Sequence, residues 1–153
     1  MFAQLRRGPA VGAASVITND IGQVLLVRHG YGERNWELPG GGGERGESAE
    51  ETAIREAREE VGASLRIERL TGVYWEPDFV DGAGAHHFVF KARLSGTSPA
   101  PRVTDAKEIT ACDWFDPSAL PSPMSDFTER RIADAFAAAS AQVYVVGPRR
   151  WRR

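Results

Sequence analysis

The chain has 153 residues, with 19 lysines and arginines against 21 aspartates and glutamates, for a net charge of −2. That length suits one domain with an adequate core, and the balanced charge supplies no global basic field for nucleic acid. The lone cysteine, Cys112, excludes an intramolecular disulfide and fits a reducing cytoplasm. The opening MFAQLRRGPA has no apolar h-region of a secretory signal, and no run approaches the roughly 18 apolar residues of a membrane span. The expectation is one cytoplasmic domain over residues 1–153 without a membrane partner.

Residues 11–18 read as a strand ended by the turn Asn19-Asp20-Ile21-Gly22, and residues 23–29 as a second strand closing a hairpin with it. Residues 31–39 form a loop around Trp36. Ser48 followed by Glu51 makes a capping box, so a helix starts at about Ser48, and Gly62 stands where it would stop. Residues 65–75 read as a strand or strand pair, and 86–94 as another with alternating faces. Residues 95–102 are a Pro/Ser/Gly-rich surface connection. Residues 108–115 form a strand, 116–120 a short helical turn, and 126–140 a second long helix. On that helix Phe127, Ile132 and Phe136 are core candidates, while Arg130 and Arg131 face solvent. The tail Arg149-Arg150-Trp151-Arg152-Arg153 reads as a frayed terminus rather than a grip on RNA or phosphate. Mixed strands and two well-spaced helices fit an α/β protein with a sheet between helices.

The first helix carries the chemistry. Glu56 and Glu60 are four apart and Glu59 is three beyond Glu56, so three carboxylates share one face. Ala49, Ala53, Ile54, Ala57 and Val61 form a small apolar stripe for packing on a sheet. On an arbitrary helix such acids are a solvated face balanced by Arg55 and Arg58. Here a run of four glycines, 40–43, precedes the helix and lets backbone approach a ligand closely. Clustered hard carboxylates repel one another until Mg²⁺ or Mn²⁺ is bound.

Read from Gly41 to Ala63, the run has the pattern G-x5-E-x7-R-E-U-x-E-E-x-G-U. It resembles the signature box of the Nudix hydrolases, with Ala57 and Ala63 at the two positions where larger aliphatics are more usual. The resemblance extends from Val24–Val27 through Trp36-Glu37-Leu38-Pro39-Gly40 to Trp114-Phe115. It implies an α/β/α sandwich with a mixed sheet and a hydrolase that cleaves the pyrophosphate linkage of a nucleoside diphosphate joined to a further moiety. It further implies metal ligands at Glu56, Glu60, Glu59 and the Gly40 carbonyl. Arg55 and Glu47 would form a supporting pair, with Gly41 and Gly62 framing the box. The general base lies among Glu56, Glu108 and the loop acids Glu76, Asp78 and Asp81. A non-catalytic nucleotide sensor of the same fold is the alternative, and a homodimer is consistent by analogy.

Substrate residues are read from position. Arg28, Arg34 and Arg45 lie near the box and suit phosphate. Tyr74 and Trp75 present either base-stacking surfaces or core. His86 and His87 read as ordinary strand histidines, with no acidic partner apparent. Pro77 resembles ADP-ribose-cleaving members, whereas the short build suits hydrolases of nucleoside triphosphates, oxidised nucleotides or dinucleoside polyphosphates. The expected partner is a small nucleotide derivative.

Overall fold

The computed structural model describes residues 8–153; the segment read for a secretory signal falls largely on residues 1–7, outside the described residues. In chain order the elements are β1 (Ala10–Ile17), β2 (Val24–His29), β3 (Trp36–Glu37), β4 (Gly40–Gly42), α1 (Ala49–Val61), β5 (Leu65–Glu76) and β6 (Ala85–Leu94). They continue with β7 (Ile109–Phe115), β8 (Met124–Ser125), α2 (Asp126–Phe136), β9 (Val143–Val145) and β10 (Trp151–Arg152). Strands β4-β1-β6-β5-β9 make a mixed sheet, parallel at β1–β6 and β5–β9 and antiparallel elsewhere. A second, antiparallel sheet runs β3-β2-β7. Helices α1 and α2 flank the mixed sheet, which is the α/β/α sandwich expected. Among the described residues no helix is long and apolar enough to cross a membrane.

The expected β1–β2 hairpin does not form. Its turn is built, with Asn19 Oδ1 accepting from the Gln23 N–H at 2.9 Å, yet pairing stops at one bridge, Thr18 to Val24. Burial explains the divergence. Val24 and Leu26 join Ala14, Val16, Tyr74, Phe127 and Ile132 in one apolar cluster, while Leu25 and Val27 join Ile17, Ala57, Val61 and Ile109 in another. A strand buried on both faces sits between layers rather than on a one-sided hairpin.

Helix α1 starts at Ser48, whose side chain accepts from Glu51 N–H while Glu51 accepts from Ser48 N–H, and it ends at Gly62 with φ 67°. Ala53, Ala57 and Val61 are buried, so small side chains bring the helix close to the sheet. Helix α2 ends at Phe136, earlier than expected. Arg69 Nη2 donates to the carbonyls of Ala135 (2.8 Å) and Ala137 (3.3 Å), closing the C-terminus with a side chain from β5.

Two further expectations for α2 are corrected. Phe136 is 39% exposed, because the buried stripe runs Phe127, Thr128, Arg131, Ile132, Ala135. Arg131, expected to face solvent, is 5% exposed; it bonds Glu37 Oε1 at 2.7 Å and lies 3.9 Å over the Phe127 ring. The tail is not frayed either. β9 pairs with β5 and β10 with β8, and Arg149, Arg152 and Arg153 contact Glu76, Glu129 and Glu33.

The Glu37–Arg131 pair ties β3 to α2 across the core. Removing one partner strands a buried charge, so Arg131→Ala should destabilise the fold by about 3–5 kcal/mol in urea unfolding. A loss below about 1 kcal/mol would place the pair outside the stability of the fold.

Candidate active site

The glycine run becomes the edge strand β4, whose register places Gly41 opposite Ala13. Antiparallel alternation turns the backbone groups of Gly40 and Gly42 away from β1 toward α1. There Gly42 O accepts from Arg55 Nη2 at 2.8 Å, and the Gly40 N–H donates to Glu60 Oε2 at 3.3 Å. A Cβ on Gly40 would lie 2.5 Å from Ala13 O, and one on Gly41 would lie 2.5 Å from Glu56 Oε1. Close approach to the backbone of β1 requires glycine at position 40, whereas a side chain at position 41 would push the Glu56 carboxylate aside.

Arg55 organises the acids. Its Nε and Nη2 grip Glu47 at 2.8 and 3.0 Å, while Nη1 reaches Glu56 Oε1 at 2.9 Å and Glu59 Oε2 at 3.1 Å. Glu47 is drawn down to about 2 by the hydrogen bonds from Arg55 and Thr52. The anticipated Arg55–Glu47 pair is therefore present, and Glu51 serves the cap as the capping box predicts.

Glu60 is the unusual group. It is 5% exposed, and no basic side chain pairs with it among the described residues. Burial first, then the charge of Glu56, pushes its carboxyl up to about 9. Glu56 is also raised, by burial and by Glu59 and Glu108, against the pull of Arg55. Among the described residues no three acid, histidine or cysteine side chains converge tightly enough to hold an ion unaided, since Arg55 draws Glu56 and Glu59 toward itself. Chemically the set fits a hard divalent cation: oxygen donors, clustered, and short of positive charge.

The loop before β7 brings Glu108 to this cluster. Thr104 caps the end of α1, donating from N to Glu60 O (3.0 Å) and from Oγ1 to Glu59 O (2.7 Å), and Gly30 N–H donates to Glu108 O at 2.8 Å. The Glu108 charge is felt at Glu56, Glu60, His29 and Tyr31.

Beside the carboxylates lies a cavity of about 210 Å³, bounded by β1, β4 and residues that sequence reasoning missed: His29, Tyr31, Glu37, Phe79, Arg131 and Arg149. Glu37 is half-buried, and although that desolvation raises its carboxyl, Arg131, the Leu38 N–H and Thr128 hold it below the usual range. His87, assigned no acidic partner from sequence, also lines the cavity, and its Nε2 lies 2.7 Å from Glu76 Oε2. Strand register supplies that partner, since Tyr74 pairs His87 and Glu76 lies two residues on, on the same face. The i,i+4 spacing of Phe127 and Arg131 was the available signal for Arg131.

The substrate residues read from sequence fall elsewhere. Tyr74 is 1% exposed, donates to Asp134 Oδ2 at 2.6 Å and stacks on Tyr144, so of the two readings the core one holds. Trp75 points to the opposite sheet face and packs on His86. Neither lines the cavity. Arg28 supports the loop through Arg34 O at 3.0 Å, and Arg45 is exposed in the loop before α1. Of the loop acids, Glu76 is engaged by His87 and Arg149, while Asp78 and Asp81 are exposed beyond the end of β5.

Comparison with known proteins adds the lineage. The family model described as NUDIX domain matches residues 6–136. The chain is 36% identical over 123 residues to a Bacillus subtilis (strain 168) protein named "Putative 8-oxo-dGTP diphosphatase", covering 80% of this chain and 77% of that one. It is 33% identical over 127 residues to an ADP-ribose pyrophosphatase of Methanocaldococcus jannaschii, covering 82% and 72%. Among solved structures, a MutT NUDIX hydrolase from Burkholderia pseudomallei superposes with TM-score 0.70 at 30% identity, covering 84% of this chain and 98% of that chain. With its family-matched span, its capped carboxylate helix and its glycine edge strand, this chain belongs to the Nudix hydrolase family and is a pyrophosphohydrolase of it.

Proposed function

We propose that the chain is a Mg²⁺- or Mn²⁺-dependent hydrolase that splits the pyrophosphate linkage of a small nucleotide derivative, with the nucleoside seated in the cavity beside α1. The observation that carries this reading is Glu60, a carboxyl 5% exposed that has no basic side chain beside it among the described residues and lies one helical turn from Glu56. Glu56 and Glu60, with Glu59 and the Gly40 carbonyl, would hold the cation. Bound there, it would neutralise pyrophosphate oxygens and acidify a water.

The protein's own groups do the rest. Arg55, anchored by Glu47 and Gly42, positions the carboxylates without touching the reacting phosphorus. Glu108, exposed to water and within electrostatic reach of Glu56 and Glu60, is the candidate general base that takes the proton of the attacking water. Attack on phosphorus then releases two phosphate-bearing fragments, with no covalent enzyme intermediate. The relatives' names point to an oxidised purine nucleotide and to ADP-ribose. Both are nucleosides on a pyrophosphate-type link, which is the common class proposed here.

Glu60→Gln should lower kcat on a nucleotide panel with Mg²⁺ by more than about 100-fold, whereas Arg55→Lys should cost roughly the 10–100-fold typical of a supporting partner. Unchanged hydrolysis by Glu60→Gln removes the metal assignment.

The raised carboxyl has a stability consequence. In the fold Glu60 holds its proton up to about 9, whereas its ordinary value is 4.5. Between those values the folded state binds more protons than the unfolded, so metal-free stability falls as pH rises through this window. In EDTA, the thermal midpoint of Glu60→Gln minus that of the wild type should therefore grow from pH 5 to pH 9. A difference that stays flat across that range contradicts a buried, uncompensated Glu60.

A further inference from the structure

The cavity is donor-rich but charge-balanced. Arg131 is matched by Glu37 at 2.7 Å and Arg149 by Glu76 at 2.9 Å. Burial, with Arg131, lowers the His87 imidazole despite Glu76, whose Oε2 lies 2.7 Å from Nε2. Two guanidiniums already neutralised in this way do not make a phosphate site; the carboxylates beside them would repel one. What such a recess takes is a neutral, planar, polar group. Its shape agrees, because Tyr31, stacked on His29 with centroids 4.8 Å apart and 53% exposed, and Phe79, 36% exposed, also line it. The loop carrying Phe79 continues through Val80 and Asp81, both at φ near +50°, and a β-branched residue in that region is held there only against strain.

Arg149 stands out among the lining residues. It lies beyond residues 6–136, in the segment that β9 and β10 fasten to the sheet and to β8. Its Nη2 is spent on Glu76 and its ring-facing side lies over Phe127, with the guanidinium carbon 5.0 Å from the centroid. Its Nε is buried with no hydrogen-bond partner among the described residues. A buried donor left unpaired is costly and calls for an acceptor.

We propose that Arg149 is a specificity-determining residue: with Arg131 it presents N–H donors to the base, while the Glu37 carboxylate offers the acceptor beside them. This arrangement selects an oxo-edged base such as guanine, whose O6 and N7 accept and whose N1–H donates, over adenine, whose amino group brings a second donor to the guanidinium. The inference rests on the nucleotide reading above.

The test uses the full chain and pairs of ligands that differ in the base. Equilibrium dissociation constants for GMP and AMP are measured by calorimetry, and kcat/KM for GTP and ATP with Mg²⁺, in the wild type, Arg149→Ala and Arg149→Lys. The wild type should favour the guanine member by about 10-fold or more in both measures, the size of one good bidentate contact. In both variants the ratio should fall to within about 3-fold, chiefly through loss on the guanine side, whereas a purely structural Arg149 would weaken both bases alike. A wild-type ratio near one overturns the inference without recourse to variants, and so does a ratio that survives in Arg149→Lys or Arg149→Ala. Discrimination in binding without any hydrolysis would remove the pyrophosphohydrolase reading and leave this one. Hydrolysis without discrimination would do the reverse.

Discussion

One guanidinium sets the geometry on which the candidate active site depends. Arg55 joins the loop to the helix by gripping Glu47 and Gly42 O, and from the same fork it reaches Glu56 and Glu59. Like-charged carboxylates one turn apart would splay toward water. Held by Arg55 on one side and by the glycine edge strand on the other, they stay together, and Glu60 remains under cover with the Gly40 N–H as its one hydrogen-bond partner among the described residues. The cost appears as raised carboxyl pKa values at Glu56 and Glu60. The protein keeps an excess of negative charge under cover at this point, and perturbed carboxyls of this kind cluster at functional sites.

A second constraint comes from the way two sheets share one strand-loop-strand segment. Trp36–Glu37 pairs with β2 and Gly40–Gly42 with β1, so Leu38-Pro39 crosses between the sheets. That crossing sets Glu37 on the wall of the cavity and Gly40 at the carboxylates, and the two subsites adjoin through the backbone itself. Helix α2 and the C-terminal strands close the far wall, each with an arginine laid over Phe127 and neutralised by a glutamate. The walls are thus polar in hydrogen bonding but nearly neutral in charge. That contrast with the acidic helix sets two chemically different surfaces side by side, one rich in carboxylates and one of paired charges and aromatic rings.

What the sequence settled by itself was local. The Ser48–Glu51 capping box, the left-handed Gly62 and the three-and-four spacing of Glu56, Glu59 and Glu60 are decided within a few turns of chain, where helical period leaves little choice. The central strands were also legible, because apolar runs such as Val24–Val27 have to be buried somewhere. Tertiary structure alone decided which strands pair, since the β1–β2 turn exists and both strands still choose other neighbours. It also decided which polar side chains meet: strand register brings His87 to Glu76, while Arg131 finds Glu37 and Arg149 finds Glu76 across long stretches of chain. The same holds for Tyr74, whose ring looks equally suited to a ligand or a core until α2 and β9 close over it. The physical reason is that the free energy of such contacts comes from desolvation by distant elements, and no local pattern encodes which elements will arrive.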